Sequence, residues 1–315
     1  MAHRAAAQVV PEVLDVERVL ASACVRCVEY HQEIDSTNNR ALQLAANPHV
    51  ACPLLVIAER QSAGRGRGAH RWWSPDGGLT FSVIAQQKTS ATPMPQLCRT
   101  SLGAALAVRA AIEEILPGIP VRLKWPNDVY LMDRKVCGIL VESTPARQER
   151  VVNGGSDSLM SHVPSSHLAQ EGGGEVVNGC SGLRSQSASA IERTTLQVIG
   201  IGVNVNNSLR RAPRDLQARA TSLTDAAGRV FDRTELLIRI LRRLTLILQE
   251  LHEDQFPLSD RWQSACMLQG RTICLESGGQ SAIGVCQGID DEGALLLQTE
   301  AGITRHLTGI VSSIL

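Results

Sequence analysis

The chain lacks several features that would assign it directly to a functional class. Its 31 basic and 31 acidic residues cancel, so no overall charge can hold it on nucleic acid or on a membrane surface. No apolar run approaches the roughly 20 residues that cross a bilayer. Glu12, Asp15 and Glu17 stand where a secretory signal would need apolar residues. We therefore expect a cytoplasmic protein without membrane contact, in which charge-driven binding is local.

The cysteines and the scarcity of aromatic residues narrow the choice further. The nine cysteines include Cys24 and Cys27, which have the spacing of half a metal site, but no second pair follows them. Packing is therefore the better interpretation, and scattered cysteines in odd number are typical of reduced thiols in a cytosol. Aromatic residues make up only 3% of the chain, so a local concentration of them is informative.

What the chain does contain is a large apolar fraction with two periodicities. With 43% hydrophobic residues among 315, it can form one large domain and a smaller companion. Ser36 can cap a helix beginning at Thr37, and Asp232 with Glu235 makes a capping box for the clearest amphipathic helix. Further predicted elements are a helix at 97–116 and strands at 54–58, 79–85, 121–125, 137–141 and 196–203. This order predicts an α+β fold, a mixed β-sheet flanked by helices.

The sequence pattern changes twice along the chain. Residues 147–193 are rich in serine and glycine and have no sustained apolar period, which predicts a disordered insertion between two strands. From about residue 268, short alternating strands separated by glycines predict a small all-β domain. The expected division is an N-terminal extension at 1–29, a main domain at 30–265 and a β domain at 268–315.

The first chemical signal is the loop Gly64-Arg65-Gly66-Arg67, between two predicted strands. Glycine lets the backbone approach a ligand closely, and a guanidinium binds carboxylate or phosphate through a planar fork. Two arginines on one loop therefore suit a substrate that carries both groups. The alternative is a disordered nucleic-acid-binding segment of the RGG type. The short loop and its flanking strands favour the anion-binding interpretation.

Trp72 and Trp73 follow this loop and account for two of only four tryptophans. Large aromatic rings near arginines can form a stacking wall for a nucleotide base or a hydrophobic ring, or they can belong to the core. We expect one of the pair to do each.

A second cluster, Lys124-Trp125-Pro126-Asn127-Asp128, ends a predicted strand and is followed after a turn by Lys135. Asp128 could hold Mg²⁺, which needs few protein oxygens, or could be a turn residue. Lys135 could bridge two anions, although a solitary lysine is usually solvated surface.

A third cluster, Gly200 to Asn206, delivers Asn204 and Asn206 on one face of a strand. They could bind a ligand or a metal, or they could satisfy backbone groups. No helix with G-x-G-x-x-G spacing follows, which excludes a dinucleotide-binding fold of the Rossmann type.

Taken together, these clusters resemble the biotin–protein ligase family in order and spacing across most of residues 30–265. The resemblance is carried by Ser36-Thr37-Asn38, Gln61 with Gly64 to Arg67, Trp72 to Gly78, Lys124 to Asp128, Lys135 with Gly138-Ile139-Leu140, and Gly200 to Asn206. The C-terminal part is similar to the small SH3-like β-barrel of that family. The main domain is similar to the fold that the family shares with lipoate ligases and class II synthetases.

The resemblance implies an ATP-dependent, AMP-producing ligase that uses MgATP to make biotinyl-5'-AMP from biotin. It then transfers biotin to a lysine of a carboxylase's biotin carboxyl carrier domain. Lys135 would be the chief catalytic cation, assisted by Arg65 and Arg67, since electrostatic stabilisation is the largest expected effect. The residues implied at biotin are Ser36, Thr37, Asn38, Gln61, Arg65, Gly66, Arg67, Lys135 and Gly138. Those implied at the nucleotide are Trp72, Lys124, Asn127 and Asn204, with Asp128 at Mg²⁺.

The sequence departs from the family pattern in two places. After Arg67, many members continue with a basic residue, glycine and arginine, whereas this chain has Gly68, Ala69 and His70. Some members also carry an N-terminal DNA-binding domain. Only 35 residues precede Ser36 here, which predicts a monofunctional type that binds no DNA.

Three points stay open on the sequence. The nearest alternative activity is that of a lipoate–protein ligase, which would be expected to lack the Gly-Arg-Gly-Arg loop and the Lys-Trp-Pro-Asn-Asp cluster. A non-enzymatic ligand sensor or nucleic-acid binder is disfavoured by the neutral net charge. Whether the protein forms a homodimer is left undecided.

Overall fold

The structure, a computed structural model, describes residues 13–47, 49–88, 93–145, 147–150 and 191–314. Most of the predicted insertion, residues 151–190, lies outside these ranges. Its two ends do not behave as the sequence predicts, because residues 147–150 and 191–194 pair as antiparallel strands. Backbone hydrogen bonds between the two segments thus extend the strands beyond the point where the apolar pattern ends.

The larger domain is built on a mixed sheet of eight strands. These are β1 (Cys27–Ile34), β2 (Leu54–Gln61), β3 (Leu79–Lys88), β4 (Val121–Lys124), β5 (Asp128–Leu131), β6 (Arg134–Ser143), β7 (Arg147–Arg150) and β8 (Ile191–Val203). Their order is β1-β2-β3-β8-β6-β5-β4, with β7 paired to β8. Only β1 and β2 run parallel among the described pairs. The predicted mixed sheet is confirmed, and β1 is a strand that the sequence pattern missed.

Helices cover both faces of this sheet, which explains why β2 reads as a continuous apolar run. The helices are α1 (Val16–Ala21), α2 (Thr37–Ala45), α3 (Pro93–Ile115), α4 (Arg214–Arg219), α5 (Leu223–Ala227), α6 (Arg233–His252) and α7 (Leu258–Gln263). Leu55 and Ile57 of β2 point into the main core together with α3 and α6, whereas Val56 packs in a second cluster with Ala41 and Ala45 of α2. Among the described residues, no helix is long and apolar enough to span a membrane.

Both predicted helix caps are present. The Ser36 side chain accepts a hydrogen bond from the Asn39 backbone, and the Asp232 side chain accepts one from Glu235 at 2.8 Å. These bonds satisfy backbone donors that a helix leaves unpaired in its first turn. The start of α2 is therefore fixed, and the side chains on either side of it have defined positions.

The smaller domain is an antiparallel sheet of five strands: β9 (Thr272–Ser277), β10 (Gln280–Ile289), β11 (Leu295–Thr299), β12 (Gly302–His306) and β13 (Ile310–Ile314). In the described part of the chain the order is β12-β11-β10-β9-β13, open between β12 and β13. The domain is fixed to the larger one by β4 and the loop that follows it. Leu123 exchanges backbone hydrogen bonds with Ala265 and Met267, and the buried Trp125 indole donates to the Gly293 carbonyl at 3.1 Å.

Candidate active site

A cavity of about 1230 Å³ lies between the mixed sheet and the smaller domain. It brings together every predicted site residue except Asn204, namely Ser36, Thr37, Asn38, Gln61, Arg65, Gly66, Arg67, Trp72, Lys124, Asn127, Asp128, Lys135 and Gly138. The smaller domain contributes a wall that the sequence did not indicate, formed by residues 276–278 and 308–311. Residues far apart in the chain thus converge on one site.

One end of the cavity is a polar pocket at the start of α2. Thr37 donates its backbone N–H to Gln61 Oε1 at 2.7 Å, and Ser82 Oγ lies 2.6 Å from Asn38 Oδ1 and 2.8 Å from Thr37 Oγ1. Gly200 makes room for Asn38, because a Cβ there would come within 2.0 Å of Asn38 Oδ1. This end therefore offers several buried donors and acceptors held in fixed positions. Ser82, which no sequence motif singled out, is fully buried behind the cavity and supports Thr37 and Asn38 from there.

Residues 64–72 form a hairpin beside this pocket. Gly66 donates to the His70 carbonyl at 2.8 Å, and Trp72 donates to the Gly64 carbonyl at 2.9 Å. Gly64 is required at the base of the hairpin, where the two arms lie side by side, since a Cβ there would lie 2.5 Å from the Trp72 carbonyl oxygen. The Gly68 to His70 stretch, which departs from the family pattern, forms the tip, with Gly68 in the left-handed region at φ 60°.

Arg65 and Arg67 of this hairpin have different surroundings. Arg65 forms a bidentate ion pair with Glu142, with N–O distances of 2.7 and 3.1 Å, and donates to Asn39 Oδ1 at 2.8 Å. Arg67 is more buried, and burial lowers the pKa of its guanidinium although Asp128 opposes this. Within the described residues, the Arg67 side chain makes no hydrogen bond or ion pair, although its backbone carbonyl accepts from His70. The structure therefore leaves the charge of Arg67, not that of Arg65, available for an anion.

Lys124 and Lys135 add two more cations around Asp128. Lys135 Nζ lies 2.5 Å from Asp128 Oδ1, so the two side chains form an ion pair. Burial lowers the pKa of Lys124, Lys135 lowers it further and Asp128 opposes both. Lys124 Nζ also donates to the Val311 carbonyl of the smaller domain at 3.3 Å. Arg67, Lys124 and Lys135 line the cavity with Asp128, and only Lys135 of the three pairs with that carboxylate, which leaves positive charge for an anionic ligand.

Trp72 and Trp73 divide between the two roles expected for them. Trp72 lines the cavity and lies over Gly202 of β8 and Gly138 of β6, where a Cβ would come within 2.4 and 3.3 Å of the indole. Trp73 also borders the cavity, but it packs against a small apolar cluster that includes Leu209 and Ala212. Trp72 therefore offers a ring to the cavity, and Trp73 contributes to packing.

Two predicted nucleotide-binding residues are engaged in structural hydrogen bonds. Asn127 donates its side-chain N–H to the Ile139 carbonyl at 2.5 Å, which ties the loop after β4 to β6. Asn204 does not line the cavity, and its Oδ1 accepts from Asn207 at 2.9 Å. Asn206 bonds the Phe231 backbone and Thr224. For both asparagines of β8 and its continuation, the structure favours the alternative in which they satisfy neighbouring groups.

The described residues contain no group of three or more His, Cys, Asp or Glu side chains that could hold a metal ion. This does not conflict with the predicted Mg²⁺ contact of Asp128, because Mg²⁺ in nucleotide sites commonly uses one or two carboxylates together with substrate phosphates. Asp128 already pairs with Lys135, so a bound Mg²⁺ would share this carboxylate with the lysine.

Two family profiles match the chain. Residues 30–155 match the biotin/lipoate A/B protein ligase family, and residues 269–312 match the biotin protein ligase C-terminal domain. Among solved structures, the biotin protein ligase of Aquifex aeolicus in complex with biotin and ATP is 28% identical, with a TM-score of 0.64. That likeness covers 90% of this chain and 97% of the other. Fold and cavity therefore define a ligase of the biotin/lipoate class.

Curated relatives narrow the assignment. The bifunctional ligase/repressor BirA of Bacillus subtilis is 32% identical over 282 residues, which cover 88% of this chain and 70% of that protein. The biotin–[acetyl-CoA-carboxylase] ligase of Paracoccus denitrificans is 28% identical over 273 residues, 85% of this chain and 92% of its own length. This chain belongs to the biotin protein ligase family.

Proposed function

We propose that the protein is an ATP-dependent biotin–protein ligase that activates biotin as biotinyl-5'-AMP and transfers it to a lysine of a biotin carboxyl carrier domain. The observation that carries this proposal is the cluster of Arg67, Lys124 and Lys135, which line one cavity with Asp128, while only Lys135 of the three forms an ion pair with that carboxylate. Its excess positive charge lies in the same cavity as the polar pocket at α2. Such a cavity suits a molecule with a polar ring at one end and an anion at the other.

In the first step, a biotin carboxylate oxygen attacks the α-phosphorus of ATP, and the bond to the leaving pyrophosphate breaks. Two anions must approach each other, and the pentavalent phosphorus carries additional negative charge. Lys135 and Arg67 would stabilise that charge, because preorganised cations in a partly buried site need no reorganisation when the reaction occurs. Lys124 lies in the same field and would hold the triphosphate.

In the second step, the amine of a carrier lysine attacks the acyl carbon of the adenylate, AMP leaves and the amine loses a proton. The hairpin and Trp72 would cover the adenylate until the carrier arrives, which limits its hydrolysis by water. Mg²⁺, bound through Asp128 and the phosphates, would neutralise charge on the nucleotide.

Biotin is favoured over lipoate by the polar pocket as well as by the relatives. The ureido ring of biotin carries two N–H donors and a carbonyl acceptor, which need partners when buried. Ser36, Thr37, Asn38 and Gln61 supply donors and acceptors at this end of the cavity. A dithiolane ring has no such requirement and would leave these polar groups without ligand partners.

The proposal is tested with purified protein, MgATP and a biotin-acceptor domain, with biotin and lipoate in parallel reactions. We expect pyrophosphate release and a streptavidin-detectable acceptor with biotin only. Product with lipoate and none with biotin would reject the assignment. Sedimentation would decide whether the protein forms a homodimer, which the sequence leaves undecided.

A further inference from the structure

Glu142, which no sequence motif singled out, connects three elements at the edge of the cavity. From β6 it accepts two hydrogen bonds from Arg65 of the hairpin. Its Oε2 also accepts from Asn38 Nδ2 of α2 at 2.9 Å. Arg65 is bound in turn to Asn39 of α2. The hairpin is therefore joined to the start of α2 through the Glu142 carboxylate and directly through Asn39.

This arrangement uses most of the hydrogen-bonding capacity and the charge of the Arg65 guanidinium. Three hydrogen bonds use its terminal nitrogens, and the Glu142 carboxylate neutralises its charge at bidentate distance. An anion binding to Arg65 would have to compete with that carboxylate. Arg67, two residues later, has no such counterion among the described residues. The two arginines that look equivalent in sequence are therefore not equivalent in the fold.

We propose that Arg65 and Glu142 form a latch that holds the hairpin, residues 64–72, over the cavity, and that both are positioning residues and not ligands of the reacting anion. The inference rests on the proposed function for its kinetic consequence. It assigns contact with the anion to Arg67 and retention of the adenylate to the latch.

The physical consequence follows from where the hairpin is attached. At one end, Arg65 is tied to Glu142 and Asn39, and at the other, Trp72 lies on Gly202 and Gly138. Loss of the first attachment leaves the second, so the hairpin would open more often without the domain unfolding. A cover that opens more often releases its ligand faster, and affinity changes of this kind appear mainly in the dissociation rate.

The experiment compares Arg65→Ala, Glu142→Ala, the double alanine variant and the charge-reversed pair R65E/E142R. Two quantities are measured: the release rate of biotinyl adenylate, and the rate of tryptic cleavage after Arg67 and Arg71 in the hairpin. We expect each single alanine variant to accelerate adenylate release about tenfold, the effect of losing charge-assisted hydrogen bonds. The double variant is expected to be no worse than either single one. The reversed pair is expected to recover part of the loss.

Glu29→Ala is the matched control. Glu29 and Arg40 form a bidentate pair with side-chain exposures of 29% and 37%, close to the 24% and 38% of Glu142 and Arg65. This pair lies on β1 and α2 and does not touch the hairpin, so neither adenylate release nor hairpin cleavage should change. Thermal midpoints of all variants are compared to exclude unfolding as the cause.

The alternative, in which Arg65 binds the reacting anion directly, gives a different result. Removal of Glu142 would then free Arg65, so Glu142→Ala would retain the adenylate as well as the parent protein or better, while Arg65→Ala would lose far more. That outcome overturns the latch. If the parent protein forms no adenylate from biotin and ATP, the proposed function fails. Proteolysis still decides the latch, supported by faster hairpin cleavage in Glu142→Ala and overturned by equal cleavage.

Discussion

The Trp72 indole lies so close to Gly202 that a Cβ added at this glycine would come within 2.4 Å of the ring. Real Cβ atoms do not approach other atoms so closely, so glycine at this position of β8 is a condition for the observed place of the ring. Gly138, on the neighbouring strand β6, leaves more room, with 3.3 Å between an added Cβ and the same ring. The two glycines form a floor on which an aromatic side chain of the cavity lies.

Gly202→Ala is therefore expected to displace Trp72 and to lower kcat/KM for ATP by about 100-fold, the effect typical of a misplacement near 1 Å in a site. Gly138→Ala is the graded comparison and should lower it by less than about tenfold, because its contacts need only small adjustments. Pyrophosphate release at varied ATP concentration measures both. A larger loss in Gly138→Ala than in Gly202→Ala would contradict the assigned role of the floor.

Much of this arrangement could be predicted from local sequence. The N-caps at Ser36 and Asp232 and the buried strands could be predicted, because each depends on residues within a few positions of one another. The glycine and arginine loop and the cluster ending at Asp128 were readable as motifs for the same reason. The resulting α+β fold with a small β domain is confirmed.

Other features depend on partners that are distant along the chain and could not be predicted from the sequence. Glu142 follows a buried run on β6 and meets Arg65 across 77 residues of chain, and Ser82 meets Asn38 across 44. The strand β1 alternates polar residues at the edge of the sheet and has no strong apolar pattern. Asn204 looked like a ligand residue because a buried strand precedes it, but Asn207, three residues later, accounts for its side-chain oxygen.

Lys124 gives a prediction about pH. Burial lowers its pKa below that of an ordinary lysine, so in the free protein it loses its proton as pH rises through that lowered value. Anion binding should weaken on the same alkaline side. Lys124→Arg keeps its charge and should move the decline of kcat/KM for ATP to higher pH, measured between about pH 7 and 10. If kcat/KM for ATP declined over the same alkaline pH range in the two proteins, Lys124 would not belong to the anion site.

The lowered pKa of Lys124 also affects the stability of the folded protein. A lysine with a folded-state pKa below its unfolded value disfavours the folded state while it is charged. That penalty disappears as pH rises from the lowered pKa toward the ordinary value. Lys124→Met should therefore unfold at a higher urea concentration than the parent protein at neutral pH, with a smaller difference at alkaline pH.

Asp128→Asn tests the predicted magnesium contact. Asparagine keeps the shape of the side chain but removes its charge, so the apparent Mg²⁺ constant for pyrophosphate release should rise about tenfold, with little change in KM for biotin. Asp133→Asn is the control, because Asp133 lies in the neighbouring turn at φ 59°, a conformation that asparagine tolerates. Equal Mg²⁺ dependence in the parent protein and in Asp128→Asn would show that Asp128 does not contact Mg²⁺ and serves only as the ion-pair partner of Lys135.

The buried pair of Glu59 and Arg233 gives a prediction about stability. Their side chains are 5% and 1% exposed, with 2.6 Å between Oε2 and the guanidinium, and Glu59 Oε1 also accepts from the Leu14 backbone and the Tyr30 hydroxyl. Glu59→Gln would leave a buried charge without its counterion and should lower the free energy of unfolding by about 3 kcal/mol. Urea unfolding measures it.

The control for this change is Glu292→Gln. Glu292 pairs with Arg305 at 2.7 Å, but both side chains are more than half exposed. Exposed pairs contribute little because water screens them, so the urea midpoint should change much less than in Glu59→Gln. A comparable loss at the two sites would show that burial is not what makes the Glu59 pair important.

The wall that residues 308–311 add to the cavity has a consequence beyond catalysis. Lys124 of the larger domain donates a hydrogen bond to the Val311 carbonyl of the smaller one, so this wall of the cavity depends on the docking of the two domains. By linkage, a molecule that binds only the docked form adds its binding free energy to the docking equilibrium. A higher substrate concentration would thus shift the two domains toward the docked arrangement, and without substrate a larger fraction of the protein would be undocked.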